Sequence, residues 1–193
     1  MKHLAASRSR AGVTLVEMLI GVAVLGVILA VAVPSMTSFM ERRRVIATAG
    51  EIADIFTYAR SEANVVDQML NIHVEAVPSG IADFGSCIRL STGTNDNCRC
   101  SYAKACPVGD GVVLRQLLLP RSNSVSFAAS ATWQGTIGVV SFLRQKHLTD
   151  VQNLAVTVTG ARTGAQLAVQ YNNAGRVRIC SPGGTISGFP TCG

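Results

Sequence analysis

Arg176 and Arg178 are the residues of this chain whose type and spacing best suit the capture of an anion. They follow Asn172-Asn173-Ala174-Gly175, a tight-turn sequence, and run into Val177, Ile179 and Cys180. If residues 176–180 form a strand, the two arginines share one face, roughly 6.6 Å apart along the chain. That spacing suits two successive phosphates, and Val177 and Ile179 then face the core. Guanidinium is better shaped than ammonium for forked contacts with phosphate. A bond between Cys180 and Cys192 would close the Gly- and Pro-rich segment that follows and leave the arginines little freedom to lose on binding. The competing reading of the pair is an edge strand guarded by positive charge. Arg144, Lys146 and Arg162 are further cations that would extend the patch.

Glu17 suggests chemistry of a different kind. From residue 13 to 33 it is the only ionisable side chain in an otherwise apolar run. That run is about as long as a bilayer-spanning helix. An acid there costs on the order of 2.5–3.5 kcal/mol on insertion scales, so a compensating charge is expected. The preceding residues offer one. Residues 1–10 carry Lys2, His3, Arg8 and Arg10 and no acid, and the small pair Ala11-Gly12 comes before the apolar run. A secretory signal places its small-residue cleavage site after that run. Cleavage after Gly12 would keep the apolar helix and expose an amine at Val13, four residues before Glu17 and on the same helical face.

Six cysteines, Cys87, Cys98, Cys100, Cys106, Cys180 and Cys192, all lie beyond the apolar helix. An even number outside the cytoplasm reads as disulfides. Cys98 and Cys100 are too close to pair with each other easily, so each is expected to bond Cys87 or Cys106. A zinc site at Cys98, Cys100 and Cys106 lacks a second close pair or a neighbouring histidine. His73 and His147 stand alone. No nucleotide loop, nucleophile elbow or specific carboxylate pair is present, so neither an enzyme nor a cofactor is expected.

These residues need elements to hold them. Pro34 ends the membrane run and would kink a helix. Beyond it Val45, Ala49, Ile52, Phe56 and Ala59 recur at four- and three-residue steps, predicting an amphipathic continuation to about residue 64. The whole helix would be about 75 Å long at 1.5 Å per residue. Arg42-Arg43-Arg44 reads as a solvated interfacial cluster. After the helix the period shortens: 69–74, 111–119, 124–128, 136–142, 154–159, 166–171 and 176–180 are short alternating or β-branched segments parted by Gly, Pro, Asn and Asp. They predict an α+β fold, a long N-terminal helix packed on a small antiparallel head of two sheets. Residues 91–97 are expected to be a loop. The domain reading is a leader at 1–12, a membrane half of the helix at 13–34, an amphipathic half at 35–64 and a disulfide-containing head at 65–193. Charge divides along the same line: residues 1–12 carry +3, 13–86 carry −4 and 87–193 carry +7. A basic distal half on an otherwise acidic molecule points to an anionic partner.

Gly12-Val13-Thr14-Leu15-Val16-Glu17, the apolar run and Pro34 resemble the type IV pilin family, although that family usually carries Phe or Met where this chain has Val13. The resemblance implies the pilin fold, cleavage after Gly12 by a prepilin peptidase, N-methylation of Val13 and use of Glu17 for recruitment into a filament of pilins. It also implies a single-pass inner-membrane precursor with a periplasmic head, and then a place in the pilus of a Gram-negative bacterium. Ala59-Arg60-Ser61-Glu62-Ala63 is similar to a segment of the branch that holds the minor pilins FimT and FimU and the H-type pseudopilin of type II secretion. Gly175-Arg176-Val177-Arg178 matches the Gly-Arg-x-Arg motif of the DNA-binding FimT group. That implies contact of Arg176 and Arg178 with DNA, independent of sequence, during natural transformation. The alternatives within the branch are priming of pilus assembly and a part in type II secretion.

Overall fold

The computed structural model describes residues 12–65, 69–77, 80, 83–92, 98, 100, 106, 111–130, 138–142, 153–172 and 174–193. The leader before Gly12, most of the expected 91–97 loop, residues 136 and 137, and Arg144, Lys146 and His147 lie outside them. The chain forms two compact units, divided between Ser38 and Phe39. One helix, α1, runs from Leu15 to Val65 and contains Pro34.

In the first unit the apolar residues of α1 are exposed from end to end. This stretch is long and apolar enough to cross a membrane, with a mean hydropathy of 2.7 over its best window. Thr14 starts it as an N-cap, and its Oγ1 accepts the Glu17 N–H at 3.3 Å. Thr14-x-x-Glu17 is thus half of a capping box, with the acid in the first turn. The carboxylate therefore sits at the positive end of the helix dipole, a stabiliser additional to any partner charge.

The second unit is α + β. Val45, Ala49, Ile52, Phe56 and Ala59, the face read from the periodicity, are each fully buried. They join a core fed by two four-stranded antiparallel sheets. The first sheet comprises β1 (Leu70–Ala76), β2 (Phe84–Thr92), β3 (Val113–Pro120) and β5 (Gly138–Phe142), in the order β3-β2-β1-β5. The second comprises β4 (Val125–Ala129), β6 (Asn153–Gly160), β7 (Gln166–Asn172) and β8 (Val177–Cys180), in the order β4-β6-β7-β8. The small Ala49 and Ala59 let the large side chains between them, Ile52 and Phe56, meet the sheets closely. Phe56 packs its ring against Tyr171 of β7, centroids 5.7 Å apart.

β2 has no counterpart in the sequence-based elements. Its Ile88 and Leu90 face the core, but its other face carries Cys87, Arg89 and Ser91, which are also buried. Cys87 bonds Cys100, Cys98 bonds Cys106, and Cys98 and Cys100 are themselves buried. A strand buried on its polar face as well loses the apolar–polar contrast that marks a half-exposed strand. Arg89 reaches the Cys98 carbonyl with Nη1 at 3.5 Å. Burial lowers its pKa from the usual guanidinium range, against the field of Glu75. His73 is buried on β1, paired in register with Arg89.

Candidate nucleic-acid interface

β8 is an edge strand, and Asn172, Gly175 and Arg176 belong to the turn that joins it to β7. The Gly175 N–H donates to the Asn172 carbonyl at 2.9 Å, and the Asn172 N–H donates to the Arg176 carbonyl at 3.2 Å. The Arg176 N–H donates to Asn172 Oδ1 at 2.9 Å. Asn172 therefore ties the turn through backbone and side chain together, a common use of Asn in turns. Gly175 has a φ of 74°, in the left-handed region that favours glycine.

Arg176 immediately precedes β8, and Arg178 lies within it opposite Gln170. Both arginines are exposed, while Val177 and Ile179 pack against the core. The sequence-predicted alternation holds. The outer side of β8 is backed by the C-terminal residues: Cys180 bonds Cys192, and the Ser181 N–H donates to the Pro190 carbonyl at 2.8 Å. Arg178 Nη2 donates to the Thr191 carbonyl at 3.4 Å, which orients that guanidinium while leaving its other donors open. Beside the pair is a groove of about 520 Å³, lined by Arg176 and Arg178 together with Gln170, Asn172 and Ser130. Tyr171 also borders it but is fully buried. Among the described residues that line it, the groove offers cationic and amide donors alongside the apolar Leu154, Ala155 and Val177, and guanidinium and amide groups of this kind can meet phosphate oxygens.

Two contacts here escape sequence reasoning. Arg60 of α1 donates from Nη1 to the Gly175 carbonyl at 2.8 Å, across 115 residues of sequence. It ties the Ala59–Ala63 segment of the helix to the turn carrying the arginine pair. Arg60 is close enough to Tyr171 to oppose its shift: burial pushes the Tyr171 hydroxyl up to about 12, and the Arg60 charge pulls it down. The other contact is Glu41, only 2 % exposed. Its Oε1 accepts the Thr163 N–H at 2.8 Å, the Thr163 hydroxyl at 2.7 Å and the Arg162 N–H at 3.1 Å. Burial alone would raise this carboxyl. The Thr163 and Arg162 donors, with Ser124, outweigh it and hold the pKa below the ordinary value. The signal for both contacts was an ionisable residue next to the buried helical stripe. Sequence contains nothing that names a partner more than a hundred positions away.

Arg162 is exposed in the turn between β6 and β7. The Arg176 turn is at the other end of β7, roughly 20 Å away along that strand. The expected extension of the patch to Arg162 does not form, because an antiparallel strand puts its two flanking turns at opposite ends. Arg144 and Lys146 lie outside the described residues. Gly12 and Val13 are exposed, just before α1. The cysteines of the rival zinc reading are all in disulfides.

Residues 7–33 match the family model of the prokaryotic N-terminal methylation motif, which supports the type IV pilin resemblance of the N-terminal segment. No curated protein matches the chain. Among solved structures, the type IV minor pilin FimU of Pseudomonas aeruginosa is similar at a TM-score of 0.47 and 19% identity, covering 73% of this chain and 91% of that one.

Proposed function

We propose that the protein is a minor type IV pilin whose head captures extracellular DNA for uptake in natural transformation. In this reading a prepilin peptidase cleaves after Gly12, Val13 is methylated, and Glu17 guides the membrane-held precursor into a filament. The methylation motif over residues 7–33 and the exposed apolar half of α1 support the first part. The observation that carries the second is the braced arginine pair. Arg176 and Arg178 are exposed at the start of β8, next to a turn held by Asn172 and Arg60 and before the Cys180–Cys192 bond, beside a groove of mixed polar and apolar lining. The braced backbone, and the Arg178 guanidinium held by the Thr191 carbonyl, reduce the freedom lost on binding. With +7 over residues 87–193, long-range attraction brings the polyanion to them. Contacts of this kind read phosphates and not base edges, so binding is independent of sequence.

The test is a titration of the full chain in non-ionic detergent micelles with fluorescein-labelled duplex DNA, read by anisotropy at several salt concentrations. Each neutralised phosphate contributes about 0.9 to the slope of log affinity against log salt. Replacing both Arg176 and Arg178 by Ala should lower that slope by about two and weaken binding at low salt. Unchanged affinity and slope would refute the DNA reading. If the variant cells also failed to make pili, the pair would belong to assembly instead.

A further inference from the structure

Arg176 borders two clefts. One is the groove it shares with Arg178. The other, of about 360 Å³, lies on the α1 side of the turn and is lined by Thr57, Arg60, Gly175, Arg176 and Val177. Arg60 uses Nη1 to hold the Gly175 carbonyl, yet the residue as a whole is exposed. One guanidinium carries five donors. The bond to Gly175 fixes the plane of this one and leaves the rest of the fork toward a cleft that already contains Arg176. Thr57, one helical turn before Arg60, donates its hydroxyl to the Ala53 carbonyl and adds no charge.

We propose that Arg60 is a third phosphate-binding residue, and that the DNA backbone runs across the turn from the Arg178 groove, over Arg176, into the Arg60 cleft. This rests on the DNA reading of Arg176 and Arg178 and extends it to a site on the helix. Arg60 holds the carbonyl of the residue just before Arg176, and Arg176 lines both the cleft it shares with Arg60 and the groove it shares with Arg178. Gly175, which lines the cleft between Arg60 and Arg176, adds no side chain there. A backbone lying across the groove and the cleft meets helix and strand at once, which gives it one direction on the head.

Arg60 has a second possible role, to position Arg176 through the Gly175 carbonyl, and the experiment separates the two. The salt slope for duplex DNA is measured on the full chain in micelles for Arg60→Gln, Arg60→Lys, Arg176→Ala and the double variant Arg60→Gln with Arg176→Ala. Direct contact predicts that Arg60→Gln lowers the slope by about one in the wild-type background and again by about one when Arg176 is already Ala. Arg60→Lys should retain most of the slope, because it keeps the charge. If Arg60→Gln has no further effect once Arg176 is gone, Arg60 only positions its neighbour and the inference is overturned. It is also overturned if Arg60→Gln leaves the slope unchanged while loss of Arg176 and Arg178 reduces it, an outcome that spares the DNA reading. Loss of no slope in any variant removes both.

Discussion

Glu41→Ala should destabilise the second unit by about 3 kcal/mol, because hydrogen bonds to a charged group are each worth roughly 1.5–3 kcal/mol net and do not add fully. The carboxylate gathers the N–H groups of Arg162 and Thr163 and the Thr163 hydroxyl at 2.7–3.1 Å. Ala leaves those donors without their acceptor. Part of the loss is offset, because Arg162 is exposed and its N–H can turn to water, and because the desolvation cost of a buried charge disappears. Glu41→Gln keeps the shape and one carbonyl acceptor, so about 2 kcal/mol is expected.

The pH dependence gives this prediction its sharper edge. The folded carboxyl has a pKa below its unfolded value of about 4.3. Such a group contributes its stability in full above the unfolded pKa and loses it as pH falls through the folded one. The gap between wild type and Glu41→Gln should therefore be widest at pH 7 and shrink steadily below about pH 4. Thermal unfolding of the full chain in micelles, followed by the strand signal in circular dichroism at pH 7, 5 and 3, measures it. A gap under about 0.5 kcal/mol at pH 7, within the range of ordinary surface changes, would refute the reasoning. So would a gap that does not change with pH.

Two glycines bear on the same frame. A Cβ at Gly160 would come within 2.5 Å of Glu41 Oε1 and 3.1 Å of Thr163 Oγ1, so Gly160→Ala should lower the melting temperature clearly in wild type and much less in a Glu41→Ala background. Gly175→Ala forces a side chain into a φ of 74°, at a cost of about 1–2 kcal/mol. It should lower the melting temperature by a few degrees and reduce the salt slope for DNA, with an unchanged slope showing that the turn geometry does not matter to binding.

The periodic face of α1 was legible because burial of one helical side leaves a 3.6-residue pattern, and Val45 to Ala59 carry it without interruption. The arginine pair was legible for a similar reason, since alternation on an edge strand puts Val177 and Ile179 inward and leaves Arg176 and Arg178 out. β2 was hidden because both its faces are buried, with Cys87 bonded to the buried Cys100 and Arg89 reaching the Cys98 carbonyl, so Arg89 and Ser91 are buried in a strand whose pattern suggests exposure. The cysteine pairing was left with two arrangements, and only the meeting of Cys87 with Cys100 selects between them. Glu41 drew no reading from the sequence, standing directly before the Arg42-Arg43-Arg44 cluster. Those three arginines are exposed and Glu41 is not, because a helix turns about 100° per residue and the next position already faces elsewhere.

Glu41 and Arg60 together tie α1 to the turns at both ends of β7. The two residues are nineteen positions apart on α1, about 28 Å at 1.5 Å per residue. The strand β7 with its flanking turns covers a similar distance. Glu41 holds the turn before β7 through its N–H groups, and Arg60 holds the turn after it through a carbonyl. Each polar contact has the sign that its backbone partner requires: an acid meets donors and a base meets an acceptor. The apolar face between them, Val45 to Ala59, supplies burial without direction, since aliphatic side chains tolerate a shift along the helix. The charged ends do not tolerate one, because a slip of a single turn moves both carboxylate and guanidinium about 5.4 Å from their partners. Within the second unit, α1 therefore holds both ends of β7, one through Glu41 and the other through Arg60.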